Sequence, residues 1–209
     1  MTDPRPADPL RRRVLAVVRA PSIPDVHGLV AALAVGGIPT VELTFTTPDV
    51  LRHVAAARDA GTPVGVGTVL TADQAKAAVD AGALFLVTPG VRVDVAEVGV
   101  AAGVPVYLGA FTPTEVATAV DLGAAAVKIF PAGLHGPRYL ADLRGPFPDV
   151  PLLPSGGVNA ENAAAFLAAG AVAVCAGTGV VPPAAVAAGS WSDITARATT
   201  FTTSMEGQS

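Results

Sequence analysis

The sequence is poor in cysteine, in charge and in aromatic side chains. Of its 209 residues only Cys175 is a cysteine, 14% are charged and 5% are aromatic, whereas 51% are hydrophobic. A single cysteine cannot form an intrachain disulfide, so nothing in the sequence indicates an oxidising compartment. Thirteen basic residues against 17 acidic ones give a net charge of −4. This argues against a nucleic-acid partner, which would require a basic stripe, and the large apolar fraction excludes intrinsic disorder.

Targeting and membrane-spanning segments are not evident either. The basic cluster Arg11, Arg12 and Arg13 is followed by only five apolar residues, 14–18, which is too short for the core of a signal peptide. The stretch 163–190 carries no charge, but it consists mostly of alanine and glycine and contains Pro182-Pro183. It therefore lacks about 20 continuous strongly apolar residues. We expect a cytoplasmic protein with no membrane partner.

Eight short apolar runs recur along the chain, each followed by glycine, proline or threonine and then by an alanine-rich stretch. They are VLAVVR (14–19), TVELTF (40–45), PVGVGTV (63–69), LFLVTP (84–89), VPVYLGA (104–110), AAVKIFP (125–131), VPLLPSG (150–156) and AVAVCAG (171–177). Continuous rather than alternating hydrophobicity is typical of strands buried on both faces. The mean spacing of about 22 residues fits a strand–loop–helix–loop unit.

The stretches between the runs carry helix-start and helix-stop signals. The predicted helix starts are Thr47-Pro48, Thr71 with Gln74, Thr112-Pro113 with Glu115, and Asn159. The predicted helix ends are Gly36-Gly37, Gly61, Gly82, Gly103, Gly123 and Gly170. Each of these glycines comes a few residues before the next apolar run.

Eight such units predict a single parallel (β/α)₈ TIM barrel spanning residues 1–209, with frayed ends at 1–9 and 205–209. The competing architecture is a doubly wound open sheet, which would carry a glycine-rich dinucleotide fingerprint after its first strand. The corresponding segment reads Arg19-Ala20-Pro21-Ser22 and contains no such fingerprint.

Two charged residues inside predicted strands are the main catalytic candidates, because the site of such a barrel lies at the C-terminal ends of the strands. Lys128 is one of only two lysines and lies in the middle of the sixth run. Burial there disfavours the charged ammonium and favours a neutral amine that can form a Schiff base with a ketone. Glu42 is the only acidic residue inside a run, and alternation places it and Lys128 inward at similar depth. The alternative is a structural ion pair between the two.

Arginine and glycine residues at the strand ends are candidates for anion binding. Arg19 ends the first run, where a guanidinium suits a carboxylate or phosphate; a rim salt bridge is the alternative. Ser155-Gly156-Gly157 and Gly177-Thr178-Gly179 follow the last two runs, where glycine permits close backbone approach and N–H groups attract anions. Since these two loops usually form the phosphate site of this barrel class, we predict a phosphorylated small-molecule substrate.

The histidines and the cysteine are weaker candidates. His27 and His53 fall on helical stretches and are expected at the surface. His135 follows the sixth run, so a role at the barrel mouth stays open as the less favoured interpretation. Cys175 is expected to be a small core residue rather than a nucleophile. Because no pair of ligand-type residues has metal spacing, we predict no metal, and nothing indicates a cofactor.

The order and spacing of several motifs resemble the class I 2-keto-3-deoxy-6-phosphogluconate (KDPG) and 4-hydroxy-2-oxoglutarate aldolases, including the related 6-phosphogalactonate enzymes. The resemblance runs from about Val14 to Ile194. The motifs are VELTFTTPD (41–49), VGVGTVL (64–70), FLVTPG (85–90), TPTE (112–115), VKIFPAGLHGPRYL (127–140), GPFPDVPLLPSGGVNAEN (145–162) and the Gly177-Thr178 turn.

This resemblance implies a role for individual residues. It makes Lys128 the Schiff-base lysine and Glu42 the general acid/base. The residues it implies for substrate binding are Thr68 at the pyruvate carboxylate, Pro89 and Phe130 along the pocket, and Gly156, Gly157 and Thr178 at the phosphate. It also implies a homotrimer.

One departure from the family concerns the substrate carboxylate. Many members carry an arginine four residues after the catalytic glutamate, where this sequence has Thr46. Related sequences without it carry an arginine at the end of strand 1, as Arg19 does, so we infer that Arg19 binds the carboxylate instead. The segment FPAGLHGPRYL is similar to the 6-phosphogalactonate branch, and both sugar configurations stay open.

The expected reaction is a retro-aldol cleavage that yields pyruvate and glyceraldehyde 3-phosphate. Three alternatives remain. A phosphate-binding isomerase or epimerase would require two acid/base groups, and the strands offer one acid. A non-catalytic sugar-phosphate binding protein would not require a buried lysine. An aldolase could also act on unphosphorylated 4-hydroxy-2-oxoglutarate.

Overall fold

The computed structural model describes residues 9–62 and 64–206, in which strands alternate with helices. The strands are β1 (Val14–Val18), β2 (Val41–Thr44), β3 (Val64–Gly67), β4 (Leu86–Val87), β5 (Val106–Ala110), β6 (Ala126–Ile129), β7 (Leu152–Pro154) and β8 (Val174–Ala176). The helices are α1 (Val26–Val35), α2 (Val50–Asp59), α3 (Ala72–Ala81), α4 (Val93–Ala102), α5 (Pro113–Asp121), α6 (Gly136–Arg144), α7 (Ala163–Ala168), α8 (Pro183–Ala187) and α9 (Trp191–Glu206). A 3₁₀ turn, Ala132–Leu134, precedes α6.

The strands form one parallel sheet that closes almost completely on itself. Their order is β7-β6-β5-β4-β3-β2-β1-β8, so the first strand pairs with both the second and the last. Across the remaining gap, Val172 N donates to Leu152 O at 3.0 Å. This arrangement confirms the predicted (β/α)₈ barrel and excludes the doubly wound sheet, and each of the eight apolar runs contains one strand.

The strands are buried on both faces, as their continuous hydrophobicity predicts. One apolar cluster lies between the sheet and the helices; a second includes Leu15, Phe85, Tyr107, Leu153 and Cys175. Strand alternation places the members of the second cluster inside the barrel. In the strand register Glu42 pairs with Val17, two residues beyond Leu15, and Lys128 pairs with Gly109, two residues beyond Tyr107, so both lie nearer the C-terminal ends of the strands.

Two of the predicted helix starts are confirmed in detail. At α5, Glu115 N donates to Thr112 Oγ1 (3.3 Å) and Thr112 N donates to Glu115 Oε2 (2.8 Å), a complete capping box. At α3, Gln74 N donates to Thr71 Oγ1 (3.2 Å), but the Gln74 side chain accepts from Leu70 N instead of Thr71 N. All six predicted helix-end signals hold, since Gly37, Gly61, Gly82, Gly103, Gly123 and Gly170 have positive φ.

The start predicted at Thr47-Pro48 is wrong. Helix α2 begins at Val50, after Asp49 with φ +54°. The Thr47 hydroxyl accepts a hydrogen bond from Ala20 N at 3.3 Å, so it joins two loops instead of capping a helix. Helix α7 also begins later than the signal at Asn159 indicates, because Asn159 to Asn162 form turns before Ala163.

The chain ends are described in part. Of the ends expected to be frayed, residues 1–8 and 207–209 lie outside the described residues, whereas residues 205 and 206 belong to α9. The Thr40 hydroxyl donates to Pro9 O at 2.8 Å. In the described ranges, none of the helices has the length and apolar character required to cross a bilayer.

Candidate active site

Glu42 is a buried carboxylate that projects into the barrel from β2. Its side chain is 0% exposed, and within the described residues neither carboxylate oxygen has a hydrogen-bond partner. The neighbouring strand contributes Gly67, where a β-carbon would overlap Oε1 of Glu42. Burial raises the pKa of Glu42 above its ordinary value, and the positive charges of Lys128 and Arg19 oppose that rise in part.

Lys128 is buried on β6 and faces the same cleft as Glu42. It is 6% exposed, and it pairs with Gly109 on one side and Leu153 on the other. Its Nζ lies 5.4 Å from the ring centroid of Phe130, two residues further along the same face. In a structural ion pair the Glu42 carboxylate would accept a hydrogen bond. Neither of its oxygens has a hydrogen-bond partner in the described part of the chain. The two side chains therefore line one cleft without a direct hydrogen bond between them.

The cleft that holds both residues has a volume of about 520 Å³. Eight of the ten predicted site residues line it: Arg19, Glu42, Lys128, Phe130, Gly156, Gly157, Gly177 and Thr178. Ser155, the first residue of the predicted Ser155-Gly156-Gly157 turn, lines it too. Val17, Val158 and Asn159 also line it, although they were not predicted as site residues from the sequence. A signal for Val17 was present, because it lies two residues before Arg19.

Arg19 and Thr68 meet at the cleft mouth. Arg19 Nη2 donates to Thr68 Oγ1 at 3.5 Å. Thr68 has φ +57°, an uncommon value for a β-branched residue, and its neighbours fix the backbone on either side. Phe45 N donates to Gly67 O (2.9 Å) and Val69 N to Val87 O (3.1 Å). Thr46 is exposed, and its hydroxyl shares a 2.8 Å hydrogen bond with that of Thr44.

Pro89 follows β4 and lies against Gly109, and like Thr68 it is not among the described residues that line the cleft. A β-carbon at position 109 would overlap the backbone of Pro89 and Gly90, so only glycine permits this approach. The fully buried Thr88 holds the segment: its Oγ1 accepts from Gly109 N (3.0 Å) and donates to Gly90 O (2.7 Å). Because Gly109 pairs with Lys128, the backbone of Pro89 lies against the strand neighbour of the buried lysine.

The glycine turn after β7 packs against the segment after β6. Gly156 and Gly157 have φ of +79° and +82°. Ala132 N donates to Ser155 O (2.8 Å) and Gly133 N to Gly156 O (2.7 Å). On the other side of the cleft the Gly177-Thr178 turn follows β8, so the two predicted phosphate loops face one opening.

Cys175 lines the same cleft, but its thiol is a weak nucleophile. It is buried, and burial raises the pKa of the Cys175 thiol to about 12. The nearby Lys128 charge and a hydrogen bond with Ser155 oppose that rise. A thiol that stays protonated at neutral pH is a weak nucleophile, which agrees with its interpretation as a core residue.

The histidines lie apart from the cleft in the described structure. His27 is exposed, as expected, but the expectation of a surface position for His53 is wrong, since it is 8% exposed. Helical spacing places His53 on the buried face of α2 with Val54, and burial there lowers the pKa of His53. His135 is exposed at the start of α6, with its ring 5.5 Å from that of Phe111 and 5.3 Å from that of Tyr139. In the described ranges, no three histidine, cysteine or carboxylate side chains are placed to hold a metal ion.

Comparison with known proteins gives consistent matches. The model of a family described as KDPG and KHG aldolase matches residues 9–197. The chain is 38% identical over 189 residues to the 2-dehydro-3-deoxy-phosphogluconate aldolase of Treponema pallidum, covering 89% of this chain and 90% of that protein. It is 33% identical over 171 residues to the 2-dehydro-3-deoxy-6-phosphogalactonate aldolase of Escherichia coli, covering 80% and 82%.

Among solved structures, the KDPG aldolase of Legionella pneumophila superimposes with a TM-score of 0.82 and 28% identity. The match covers 92% of this chain and 97% of that one. That structure holds pyruvate captured at low pH as a covalent carbinolamine intermediate.

Proposed function

The chain belongs to the KDPG and KHG aldolase family, and from this premise we propose that it is a Schiff-base aldolase. Its substrate is a 2-keto-3-deoxy-6-phospho sugar acid, which it cleaves to pyruvate and glyceraldehyde 3-phosphate. One observation carries the proposal: a buried lysine and a buried carboxylate face one cleft, and the carboxylate oxygens have no hydrogen-bond partner in the described structure. A structural pair would bond directly, whereas a catalytic pair leaves room for the substrate.

Lys128 supplies the electron sink of the reaction. Its amine attacks the C2 ketone of the substrate and forms a carbinolamine, and loss of water gives a protonated imine. When the C3–C4 bond breaks, its electron pair moves into the imine and produces an enamine of pyruvate. The covalent carbinolamine of pyruvate in the Legionella relative supports this chemistry for the family fold.

Glu42 moves the protons. As a carboxylate it removes the proton of the C4 hydroxyl while the C3–C4 bond breaks, so the departing fragment leaves as an aldehyde. Protonation of the enamine at C3 and addition of water at C2 then release pyruvate and the free Lys128 amine. Full burial beside Gly67 keeps the carboxylate out of bulk water, in the cleft that it shares with Lys128.

The remaining site residues hold the two charged ends of the substrate. Arg19 and Thr68, already in contact at the mouth, bind the C1 carboxylate. Pro89 and Phe130 form the walls beside Lys128. The phosphate binds between the Gly156-Gly157 and Gly177-Thr178 turns, where glycine permits close approach of backbone N–H groups.

A trapping experiment tests the covalent step. Pyruvate with sodium borohydride is expected to add one reduced pyruvate to Lys128, located by peptide mass spectrometry, and Lys128→Met is expected to abolish both the adduct and cleavage. Lys76→Met is the matched control, since Lys76 lies on α3 outside the cleft. An isomerase, an epimerase or a non-catalytic binding protein would give no adduct. Aldolase activity retained by Lys128→Met would refute the mechanism.

We also propose a cytoplasmic location, a homotrimer, and one functional domain formed by the whole chain. The first rests on the single buried cysteine and the second on family resemblance alone. Size-exclusion chromatography with light scattering tests the trimer. Comparison of kcat/KM for KDPG, its galactonate epimer and unphosphorylated 4-hydroxy-2-oxoglutarate tests the substrate.

A further inference from the structure

The turn that follows β7 is tied to the start of α7 by one carboxamide. Asn162 Nδ2 donates to Gly157 O at 2.9 Å, and Asn162 Oδ1 accepts from Asn159 N at 2.9 Å. The Asn159 side chain in turn accepts from the backbone of Glu161 (2.9 Å) and Asn162 (3.2 Å). The Asn162 side chain makes no capping bond to α7, so its two bonds serve the turn and not the helix.

The other side of the turn is fixed by the segment after β6. Gly133 N donates to Gly156 O at 2.7 Å, and a β-carbon on Gly157 would lie 2.7 Å from the Cα of Gly133. Two successive carbonyl groups, those of Gly156 and Gly157, are therefore each held by a donor from a different segment.

The fixed carbonyls determine where the N–H groups point. In a trans peptide the C=O of one residue and the N–H of the next point in opposite directions. Holding the Gly156 and Gly157 carbonyls thus directs the N–H groups of Gly157 and Val158 away from Gly133 and Asn162. Gly157 and Val158 both line the cleft, and neither of their N–H groups donates to another group in the described part of the chain.

We propose that Asn162 is a positioning residue for the substrate phosphate, an inference that rests on the proposed phosphate site. By holding the Gly157 carbonyl it fixes the rotation of the Gly157–Val158 peptide and aims the Val158 N–H at the phosphate. Without this bond, the peptide of a glycine with φ +82° is free to turn, and the donor must be ordered each time substrate binds. Asn162 does not touch the reacting atoms, so its effect is confined to binding of the phosphorylated end.

Asn162→Ala tests this with two substrates and one inhibitor. We expect KM for the phosphorylated ketoacid to rise about tenfold, the order of one lost hydrogen bond to a charged group. The inhibition constant of inorganic phosphate should rise in parallel. For both substrates kcat should stay within twofold of the value for the unaltered protein. The same holds for KM of unphosphorylated 4-hydroxy-2-oxoglutarate. Glu161→Ala is the matched control, since this exposed neighbour contributes only its backbone N–H to the turn.

The possible outcomes distinguish a failure of this inference from a failure of the proposed function on which it rests. If KM for both substrates rises equally, or if neither KM nor phosphate inhibition changes, Asn162 has no phosphate-positioning role, and the aldolase assignment is unaffected. If the unaltered protein shows neither preference for phosphorylated substrate nor inhibition by phosphate, the phosphate site itself is wrong and the inference fails with it. Retained turnover of the unphosphorylated substrate by Asn162→Ala shows that the variant is folded.

Discussion

Gly67 leaves the space that the Glu42 carboxylate occupies. The two residues lie on adjacent strands of the barrel, β3 and β2, and a β-carbon at position 67 would overlap Oε1, the carboxyl carbon and Cγ of Glu42. The buried acid thus depends on a glycine with no chemistry of its own. Gly65, two residues earlier, leaves space in the same way for the Phe85 ring.

Gly67→Ala is expected to displace the Glu42 carboxylate while leaving Lys128 in place. Since a positioned acid/base group contributes about 10²- to 10⁴-fold, we expect kcat/KM to fall by at least about 100-fold. Gly90→Ala is the matched control, because a β-carbon there meets nothing within 4 Å and activity should stay near normal. Near-normal cleavage by a correctly folded Gly67→Ala protein would show that the contact does not fix the acid.

Glu42→Gln should change the pH profile as well as the rate. Burial raises the pKa of Glu42, so the carboxylate form required as base accumulates only above the usual glutamate value of about 4.3. We expect kcat/KM of the unaltered protein to rise with pH through that raised pKa. The glutamine variant should lose this limb and about 10²- to 10⁴-fold in rate. Glu97→Gln, on the exposed side of α4, should leave the profile unchanged.

The same substitution should reveal a pH-dependent change in stability. A carboxyl whose pKa is higher in the folded than in the unfolded state binds more protons when folded. Its folded state therefore loses stability as pH rises through the raised pKa. Glutamine carries no such charge. The difference in Tm, Glu42→Gln minus the unaltered protein, should therefore increase as the pH rises from 5 to 8. A difference that shrinks with pH would contradict the raised pKa.

Arg19→Met should weaken recognition of the substrate carboxylate. Arg19 already contacts Thr68 at the mouth, and a charge-assisted bond contributes about 1.5–3 kcal/mol, or roughly tenfold to a hundredfold in KM. The pyruvate concentration that half-saturates borohydride trapping should rise by a similar factor. Arg11→Met, exposed before β1, serves as control. An unchanged half-saturating concentration would assign the carboxylate to another group.

Much of the fold and the two central residues could be predicted because their signals are local. Each apolar run contains a strand, and strand alternation alone places Glu42 and Lys128 on the inner face. Helix-end glycines and the Thr112 capping box are equally local. The buried position of His53 was also accessible, since it shares a helical face with Val50, Val54 and Ala57.

The remaining features depend on contacts between distant segments. Thr47 has the sequence of a helix cap, but its hydroxyl is taken by Ala20 N from another loop. The roles of Gly67 and Gly109 appear only when strand register brings Glu42 and Pro89 against them. Asn162 and Thr88 hold backbone carbonyls and amides whose direction no sequence pattern encodes.

Cys175 should resist thiol reagents in the folded protein. With its pKa raised to about 12, its thiolate fraction at pH 8 is roughly a thousandfold below that of a free thiol with pKa about 8.5. We expect no measurable labelling by a disulfide reagent over an hour in the native state and one equivalent after unfolding in urea. Cys175→Ser should give no labelling in either state, and rapid native labelling would contradict the burial.

Thr88→Val should separate shape from hydrogen bonding beside Lys128. Valine keeps the volume of threonine but removes the hydroxyl that bonds Gly109 N and Gly90 O, leaving the buried Gly109 N–H without its partner. An unsatisfied buried donor costs about 1–3 kcal/mol, which for a domain of this size lowers Tm by roughly 2–12 °C. Because the same bonds hold Pro89 against the strand neighbour of Lys128, kcat should fall as well.

Thr88→Ser retains the hydroxyl and should preserve most of both properties. Thr118→Val removes an exposed helical hydroxyl and should change Tm by little. If valine and serine at position 88 behave alike in Tm and kcat, the methyl group and not the hydroxyl holds this wall of the site.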